Sequence, residues 1–460
     1  MDPAASVPAP PSRRLAPGPR GNLLLGSMGA IHRRGQVGFF HDCWREYGDL
    51  FQFRIGPARA HVVAHPDNLR KVLATNRQNY EKGLGYKKTR DLLGLGLLTS
   101  EGELWQRQRR LMQPPFTQKS VATFGAQMVG AVEAMLRRWR PFAEKGEPFD
   151  VHREMLRLAI TIIGQAMLGL RTEGEGPEGE LVEAYSEACE VINARLASFL
   201  DVPLVIPTPA NRRLKRAVRV IDRLVYALVE ERRREGPRPD LLSRMLEARD
   251  EDTGEAMSPR QLRDEIITLF FAGHETSAVT LTWTWFLLSQ HPAVEEALHA
   301  ELATVLGGRA PTSEELPRLV YTRMVIEESM RLYPPVWTFP RAAVGEDELS
   351  GHRIPAGALV FPAQYLTHRH PAFWTDPESF QPERFAPGRA EQRPPFAYLP
   401  FGGGPRTCIG IHFAMMETVL ALATVAQRYR LRLVPGHPVE PTSIITLQPR
   451  YGMRMMLEAR

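Results

Sequence analysis

Cysteine is scarce in this chain: three residues, Cys43, Cys189 and Cys408, in 460, with no C-x-x-C pair. An odd number without framework spacing excludes a disulfide scaffold and leaves Cys408 and His412 without the second pair that a zinc site needs. Free thiols also indicate a reducing compartment, so a cytoplasmic location is expected. No apolar core long enough for a signal peptide or membrane anchor lies in residues 1–20, which are rich in Pro and Ala and carry Arg13, Arg14 and Arg20. That stretch is expected to be a disordered tail. No repeat or composition break divides residues 21–460, so a single catalytic domain is expected there. One run, 266–289, is long enough to cross a bilayer. Its single formal charge, Glu275, stands mid-segment among threonines, which suits a helix buried in a protein core better.

What is present centres on Phe401-Gly402-Gly403-Gly404-Pro405-Arg406-Thr407-Cys408-Ile409-Gly410. A cysteine lies between a glycine-rich loop and a strongly helical segment, 411–429. A thiolate there meets the unpaired N–H groups and positive dipole end of the helix, which lower a thiol's pKa. Consecutive glycines let the backbone pass close to something flat and bulky, and Arg406 can reach an acidic group on the same object. These parts suit a thiolate ligating a haem iron, with the arginine on a propionate. Three other readings stand beside it: a small buried hydrophobe, a phosphate loop, and half a zinc site. The spacing is not G-x-G-x-x-G and no Walker lysine follows, so a nucleotide loop fits poorly.

The stretch is similar to the haem-binding signature of the cytochrome P450 family, F-x-x-G-x-[RH]-x-C-x-G, at Phe401, Gly404, Arg406, Cys408 and Gly410. Further segments match in the family's order: Trp105 with Arg109, Ala272-Gly273-His274-Glu275-Thr276, Glu328-Ser329-Met330-Arg331, and Pro382-Glu383-Arg384-Phe385. The resemblance implies a mainly α fold with a small β-rich part, haem b ligated by Cys408, and a long central helix crossing over the haem. It implies that Trp105, Arg109 and Arg406 bond propionates, with Arg341 a third arginine for that task. It also implies that the groove at Gly273 receives O₂, that Thr276 stabilises the bound oxygen, and that Glu275 relays protons. Glu328, Arg331 and Arg384 form a buried structural triad in the family.

The local pattern supplies its own alternatives. Trp105 and Arg109 are one turn apart on a helix over 103–112, which also describes a surface stack. Glycine in mid-helix at Gly273 costs about 1 kcal/mol relative to alanine, and close packing of another helix is a sufficient reason. Ser258, Pro259 and Gln261 form an N-terminal capping box that starts the central helix, which ends near Gln290. Helices are expected over 39–47, 121–144, 151–170, 178–200 and 212–234. Strands are expected over 50–56 and 60–64 around a Gly56-Pro57 turn. A mobile apolar loop is expected over 83–96, a lid loop over 200–211, and an apolar edge strand over 334–339. His368 and His370 read as structural or surface residues.

The expected reaction is insertion of one oxygen atom of O₂ into an unactivated C–H or C=C bond of a hydrophobic substrate, with electrons from NAD(P)H. Fatty acid, terpenoid and steroid-like substrates fit the apolar candidates Leu92, Leu95, 202–206, Phe271, Ala272, Val336, Phe339, Ile444 and Ile445. A peroxide-driven oxygenase is disfavoured by the Glu275–Thr276 pair; a haem-binding sensor without turnover remains the alternative from another class. Only residues 409–460 follow Cys408, too short for a fused reductase, so a separate ferredoxin or flavodoxin-like carrier and its reductase are expected. The formal charge of +6 and the clusters Arg107, Arg109, Arg110 and Arg428, Arg430, Arg432 suggest a basic docking face for an acidic carrier. No nucleic-acid partner is expected.

Overall fold

The computed structural model describes residues 14–22, 24–170, 177–197, 202–443 and 445–460. They gather into two compact units, one from residues 1–83, 338–377 and 394–407, the other from 84–337, 378–393 and 408–460.

The first unit is built on a five-stranded sheet in the order Leu50–Ile55, Ala58–Val63, Leu359–Pro362, Arg341–Ala343, Tyr80–Lys82. Leu50-Phe51-Gln52-Phe53 and Ala60-His61-Val62-Val63 carry the β-branched and aromatic residues that a pleated, half-buried surface favours. They pair antiparallel with Leu50 opposite Val63 and Ile55 opposite Ala58. The two-residue turn between them starts at Gly56, whose φ of 56° suits the first central position of a tight hairpin. Phe51, Val62, Val63 and Val360 are fully buried, each worth about 1.5–3 kcal/mol relative to exposure. The helix Met28–Tyr47 starts earlier than expected and covers this sheet with Phe39 and Phe40, which meet Phe53 edge-on.

Residues 14–20 depart from the expected tail. Leu15 bridges to Arg353, Gln52 N donates to Pro17 O at 2.8 Å, and Ala16 is buried. The chain here docks on a sheet edge that would otherwise leave backbone groups unpaired. The remainder of that expectation, residues 1–13, lies outside the described residues.

The second unit is helical. Its centre is Pro259–Gln290, 32 residues and about 48 Å long at 1.5 Å rise. Ser258 Oγ accepts from Gln261 N at 3.2 Å and Pro259 opens the first turn. Gln261 Oε1 accepts from Arg107 rather than closing the expected box. Against this helix pack Val151–Leu168, Pro209–Glu235, Val320–Leu332 and Ile411–Ala426, with Gly125–Lys145 packed on Val151–Leu168 and Ile411–Ala426, and Pro177–Ala197 on Pro209–Glu235. Trp283, Thr282 and Thr284 are fully buried along it. No helix among the described residues is long and apolar enough to cross a membrane.

Three local expectations differ. The mobile loop over 83–96 is instead the helix Leu84–Leu93, followed by a clamped turn. Arg263 Nη1 donates to Leu92 O at 2.8 Å, Leu95 N donates to Asp264 at 2.9 Å, and Leu97 N donates to Glu265 at 2.9 Å. A Cβ on Gly94 would lie 2.2 Å from the Asp264 carboxyl, so its glycine serves this clamp. The edge strand over 334–339 is absent. Pro334, Pro335 and Pro340 lack the N–H that a ladder uses, and the strand begins only at Arg341. The segment is held irregularly, with Leu447 N donating to Pro335 O at 2.9 Å. In the lid segment, residues 200 and 201 lie outside the described residues. Residues 202–208 are irregular, and helix resumes at Pro209.

Candidate active site

The candidate residues are divided between the two units. Phe401, Gly404, Arg406 and Arg341 belong to the first; Trp105, Arg109, Gly273, Glu275, Thr276, Glu328, Arg331, Arg384, Cys408 and Gly410 to the second. The signature stretch therefore passes from one unit to the other at Thr407–Cys408.

In the first unit, the glycines of the stretch answer to the protein's own chain. A Cβ on Gly403 would lie 2.4 Å from the Phe396 ring, and one on Gly404 only 2.3 Å from Leu73 O. Gly404 also has φ +70°, a conformation that favours glycine. Protein packing thus accounts for two glycines that the sequence suggested were kept for a flat ligand. Thr407 closes the turn, its N and Oγ1 both donating to Gly404 O at 3.0 and 2.7 Å. Arg341 is buried and donates to Pro340 O at 3.0 Å; Arg406 is half-buried.

Cys408 stands immediately before the helix Ile411–Ala426, whose N-cap, Gly410, makes no side-chain hydrogen bond. It is the exposed one of the three cysteines. The protein around the sulfur nevertheless pushes its pKa up by desolvation, while the Gly410 backbone N–H and the Arg109 guanidinium pull it back down. Burial raises Cys43 to about 11 and Cys189 to about 12. For Cys408 the net direction is upward, against the lowering expected from the helix N-terminus, because desolvation outweighs both. What fits it for a metal-binding thiolate is its access and the partial offset from Arg109 and the Gly410 N–H. Among the described residues no group of three or more His, Cys, Asp or Glu could hold a metal ion by itself. A single thiolate with open access suits an iron already held by a macrocycle. Trp105 is buried on the helix Gly102–Met112 that also carries Arg109. Burial lowers the Arg109 pKa and the Cys408 sulfur restores part of it.

On the central helix, Thr276 Oγ1 donates to Ala272 O at 2.7 Å. Thr280, Thr282 and Thr284 make the same bond one turn back, at 2.9, 2.7 and 2.8 Å. The bond is therefore no signature. Access is: Thr276 is half-buried and Ala272 exposed, whereas the other three threonines are buried. A Cβ on Gly273 would come within 3.0 Å of Ile163 Cδ1, so close packing of Val151–Leu168 accounts for that glycine. Glu275 is buried, and burial raises its pKa; a hydrogen bond with the Thr446 hydroxyl offsets this in part. Its Oε1 accepts from Gln448 Nε2. Thr446 and Gln448 were missed in the sequence because nothing local links them to a helix some 170 residues earlier.

Glu328 and Arg331 are fully buried and meet through two bonds, Nε to Oε2 at 2.7 Å and Nη2 to Oε1 at 2.8 Å. Arg384 Nε lies 3.3 Å from Glu328 Oε1. Gln381 N donates to the same oxygen at 2.9 Å, and Arg331 Nη2 to Ser379 O at 3.0 Å. These bonds join Val320–Leu332 to the segment 379–384, and none reaches a reacting group. His368 and His370 are likewise structural: Leu399 N donates to His368 Nε2 at 3.0 Å, and His370 Nε2 lies 3.0 Å from Asp49.

The basic clusters are not a bare cationic face. Arg107 and Arg110 both face the buried Asp250, with Glu255 and Asp252 beside them. Arg428 pairs with Glu133 at 2.6 Å, Arg430 with Glu295 and Glu296, and Arg432 with Glu295 and Glu458. Of the apolar substrate candidates, Leu92 and Phe271 are buried, and Val336 and Ile445 half-buried. Phe339 packs on the core of the first unit. Leu95, Val205 and Ile206 are exposed, and Ile444 lies outside the described residues.

The profile of the cytochrome P450 family matches residues 16–454. Cyclooctat-9-en-7-ol 5-monooxygenase of Streptomyces melanosporofaciens is 38% identical over 94% of this chain and 93% of its own length. Cyclooctatin synthase of the same organism is 36% identical over 90% and 89%. Pentalenene oxygenase of Streptomyces avermitilis is 34% identical over 90% and 91%. Among solved structures, the haem domain of cytochrome P450DA is similar with a TM-score of 0.88 and 27% identity, covering 97% of this chain and 99% of that one. A retinoic-acid-bound cyanobacterial cytochrome P450 follows the chain with a TM-score of 0.83 and 26% identity, covering 97% and 100%. The thiolate loop, the buried Glu–Arg pair and the acid–alcohol turn stand on a chain that, by sequence and by fold, belongs to the cytochrome P450 family of haem-thiolate monooxygenases.

Proposed function

We propose that this monooxygenase hydroxylates a polycyclic terpenoid skeleton, with Cys408 as iron ligand and the Glu275–Thr276 turn as the proton-delivering element. The observation that carries the reading is the contrast on the central helix, a buried carboxyl with raised pKa beside Thr276, the one of the helix's five threonines that is not buried. The substrate class follows from the relatives, whose names specify oxidation of pentalenene and cyclooctat-9-en-7-ol.

Haem, when bound, supplies two-electron activation of O₂, so that one oxygen atom enters the substrate and the other leaves as water. The protein's own residues do the rest. Arg109 and the Gly410 N–H favour the thiolate form of Cys408. Thr276 offers a hydroxyl that can leave Ala272 O to bond a ligand in the groove. Burial raises the pKa of Glu275 and so favours a proton on its carboxyl, with Gln448 and Thr446 fixing its orientation. Trp105, Arg109, Arg341 and Arg406 would hold the propionates. Residues 21–460 act as one catalytic unit, fed by a ferredoxin or flavodoxin-like carrier with its own reductase. Free thiols at Cys43, Cys189 and Cys408 support a cytoplasmic setting.

The test is Cys408→Ser, because a neutral hydroxyl is a poor iron ligand. The reduced protein with carbon monoxide should lose its thiolate spectrum and all NADPH-dependent product formation. Retained turnover would refute the assignment. In the unaltered protein, pentalenene-like hydrocarbons should shift the haem spin state where fatty acids do not, and the reverse preference would refute the substrate class.

A further inference from the structure

Glu275 is held by residues of the strand Leu447–Pro449 and its approach, and that strand is itself held by a side chain with no part in the site described above. Among the described residues the strand pairs only with Pro441–Ser443, in a two-stranded ribbon. Such a ribbon is marginal by itself, so the place of Gln448 depends on what anchors the ribbon. Both backbone groups of Leu447 are anchored. Its N–H donates to Pro335 O at 2.9 Å, and its carbonyl accepts from Trp283 Nε1 at 2.7 Å.

Trp283 lies on the central helix, about two turns beyond Glu275. It is fully buried, and its ring stacks on Tyr333 with centroids 4.0 Å apart and planes at 6°. The stack fixes the plane of the indole and with it the direction of the N–H. Trp285, on the same helix and also buried, differs: its Nε1 has no hydrogen-bond partner among the described residues. Trp285 fills volume. Trp283 fills volume and also aims a donor at one backbone carbonyl.

That carbonyl belongs to the residue between the two that bond the carboxyl. Gln448 Nε2 donates to Glu275 Oε1, the Thr446 hydroxyl bonds the same carboxyl, and Gln448 Nε2 lies 3.2 Å from Thr446 Oγ1. We propose that Trp283 is a positioning residue for oxygen activation: by pinning Leu447 it sets the places of Thr446 and Gln448, and through them the orientation of the Glu275 carboxyl. The inference rests on the proton-delivery reading of the Glu275–Thr276 turn. Misplacement of a reacting group by about 1 Å can cost 10²-fold, so one buried bond at this point has leverage.

The bonds from Thr446 and Gln448 favour the charged carboxylate and oppose the effect of burial. The titratable groups facing Glu275 are Tyr185 and Cys189 of the helix Pro177–Ala197, with His274 beside it. Burial raises the first two, Cys189 to about 12, and lowers His274 to about 4, so all three are neutral near pH 7. Loosening the strand should therefore raise the Glu275 pKa further.

Trp283→Phe in the haem-loaded protein keeps a ring against Tyr333 and removes the N–H. It should lower product formed per NADPH consumed by about threefold or more, with the carbon monoxide spectrum unchanged. Infrared titration supplies a readout independent of turnover. The carboxylic-acid band that Glu275→Gln abolishes should have its midpoint at higher pH in Trp283→Phe. Gln448→Leu should move that midpoint the same way, and adding Trp283→Phe to it should add little, because the two act through one bond. Trp285→Phe makes the same change of ring and should leave ratio and midpoint at their wild-type values. Tyr333→Leu frees the indole plane and should move both readouts in the same direction by less, which tests the clamp even where Trp283→Phe loads haem poorly. An unmoved midpoint in Trp283→Phe or Tyr333→Leu, full additivity with Gln448→Leu, or an equal change in Trp285→Phe would overturn the inference. Glu275→Gln separates the two readings. If it stays coupled, the proton-delivery reading fails; if it uncouples while Trp283→Phe does not, only the Trp283 role fails.

Discussion

Glu328 and Glu275 are the same residue type, both buried on helices of one unit, and their surroundings give them opposite work. Glu328 faces the guanidiniums of Arg331 and Arg384 and the N–H of Gln381. Among the described residues Glu275 meets the amide of Gln448 and the hydroxyl of Thr446 but no cation, and burial raises its pKa. A carboxyl with two cations is a strut that holds two segments together. A carboxyl without one has its pKa raised by burial, which favours the protonated form that can lend a proton. Sequence spacing alone does not separate these cases, because each residue simply sits in a helix beside polar neighbours.

The comparison breaks first at the strut. Glu328→Ala leaves Arg331 buried without its partner, a loss of about 3–5 kcal/mol from a typical total of about 5–15 kcal/mol. The expected outcome is little soluble, haem-loaded protein and a strongly lowered melting temperature. Loaded Glu328→Ala protein melting near the wild-type value would mean that the two carboxyls are equivalent after all.

Glu275→Gln should do the reverse. The protein should fold, load haem and melt normally, because Gln can still accept from Gln448 and Thr446. Product per NADPH should fall by roughly 10²-fold, the low end of general-acid contributions, with peroxide released in its place. Normal coupling in this variant would remove Glu275 from proton delivery.

The pH dependence of stability sharpens the contrast further. A carboxyl whose folded-state pKa is raised stabilises the fold most below its unfolded value, and that contribution is lost as pH rises through the folded value. Both Glu275 and Glu417, a buried residue of the helix Ile411–Ala426, are of this kind. The melting temperature should therefore decline from the unfolded value of about 4.3 toward the Glu417 value of about 8. Glu417→Gln should flatten the decline. An equally steep decline in that variant would show that the acid is not held neutral.

The smallest effect is expected at the basic clusters, since their charges are already matched. Arg428→Glu places a like charge beside Glu133, yet this pair is partly exposed and worth about 0–1 kcal/mol. Carrier-dependent reduction should slow by less than about threefold at 0.1 M salt, where the screening length is about 10 Å. A tenfold loss, with substrate affinity unchanged, would restore a dominant docking role to this face.

The sequence by itself determined the family, the thiolate and the long helices, because each rests on short-range chemistry. Phe401 to Gly410 carries its signature in ten consecutive residues, and Ser258-Pro259 marks a helix start that the structure bears out, with Ser258 as N-cap and Pro259 as the first helical residue. Glu328 and Arg331 share a helix face by spacing alone. Tertiary structure decided what contacts across the chain settle. The segment 83–96 reads as loop from its glycines, but Arg263, Asp264 and Glu265 accept and donate the bonds that order it. Gly403 and Gly404 read as space for a cofactor, and Gly273 as either that or close helix packing, but Phe396, Leu73 and Ile163 occupy the places a Cβ would take. The arginine clusters read as a free positive face until Asp250, Glu133 and Glu295 meet them. Gln448 reaches Glu275, and Ser277 reaches Glu417, only because separate helices and strands are brought together. A side chain's type and helical phase are local. Its partner, its burial and hence its charge depend on residues distant in the chain, and only the fold sets these.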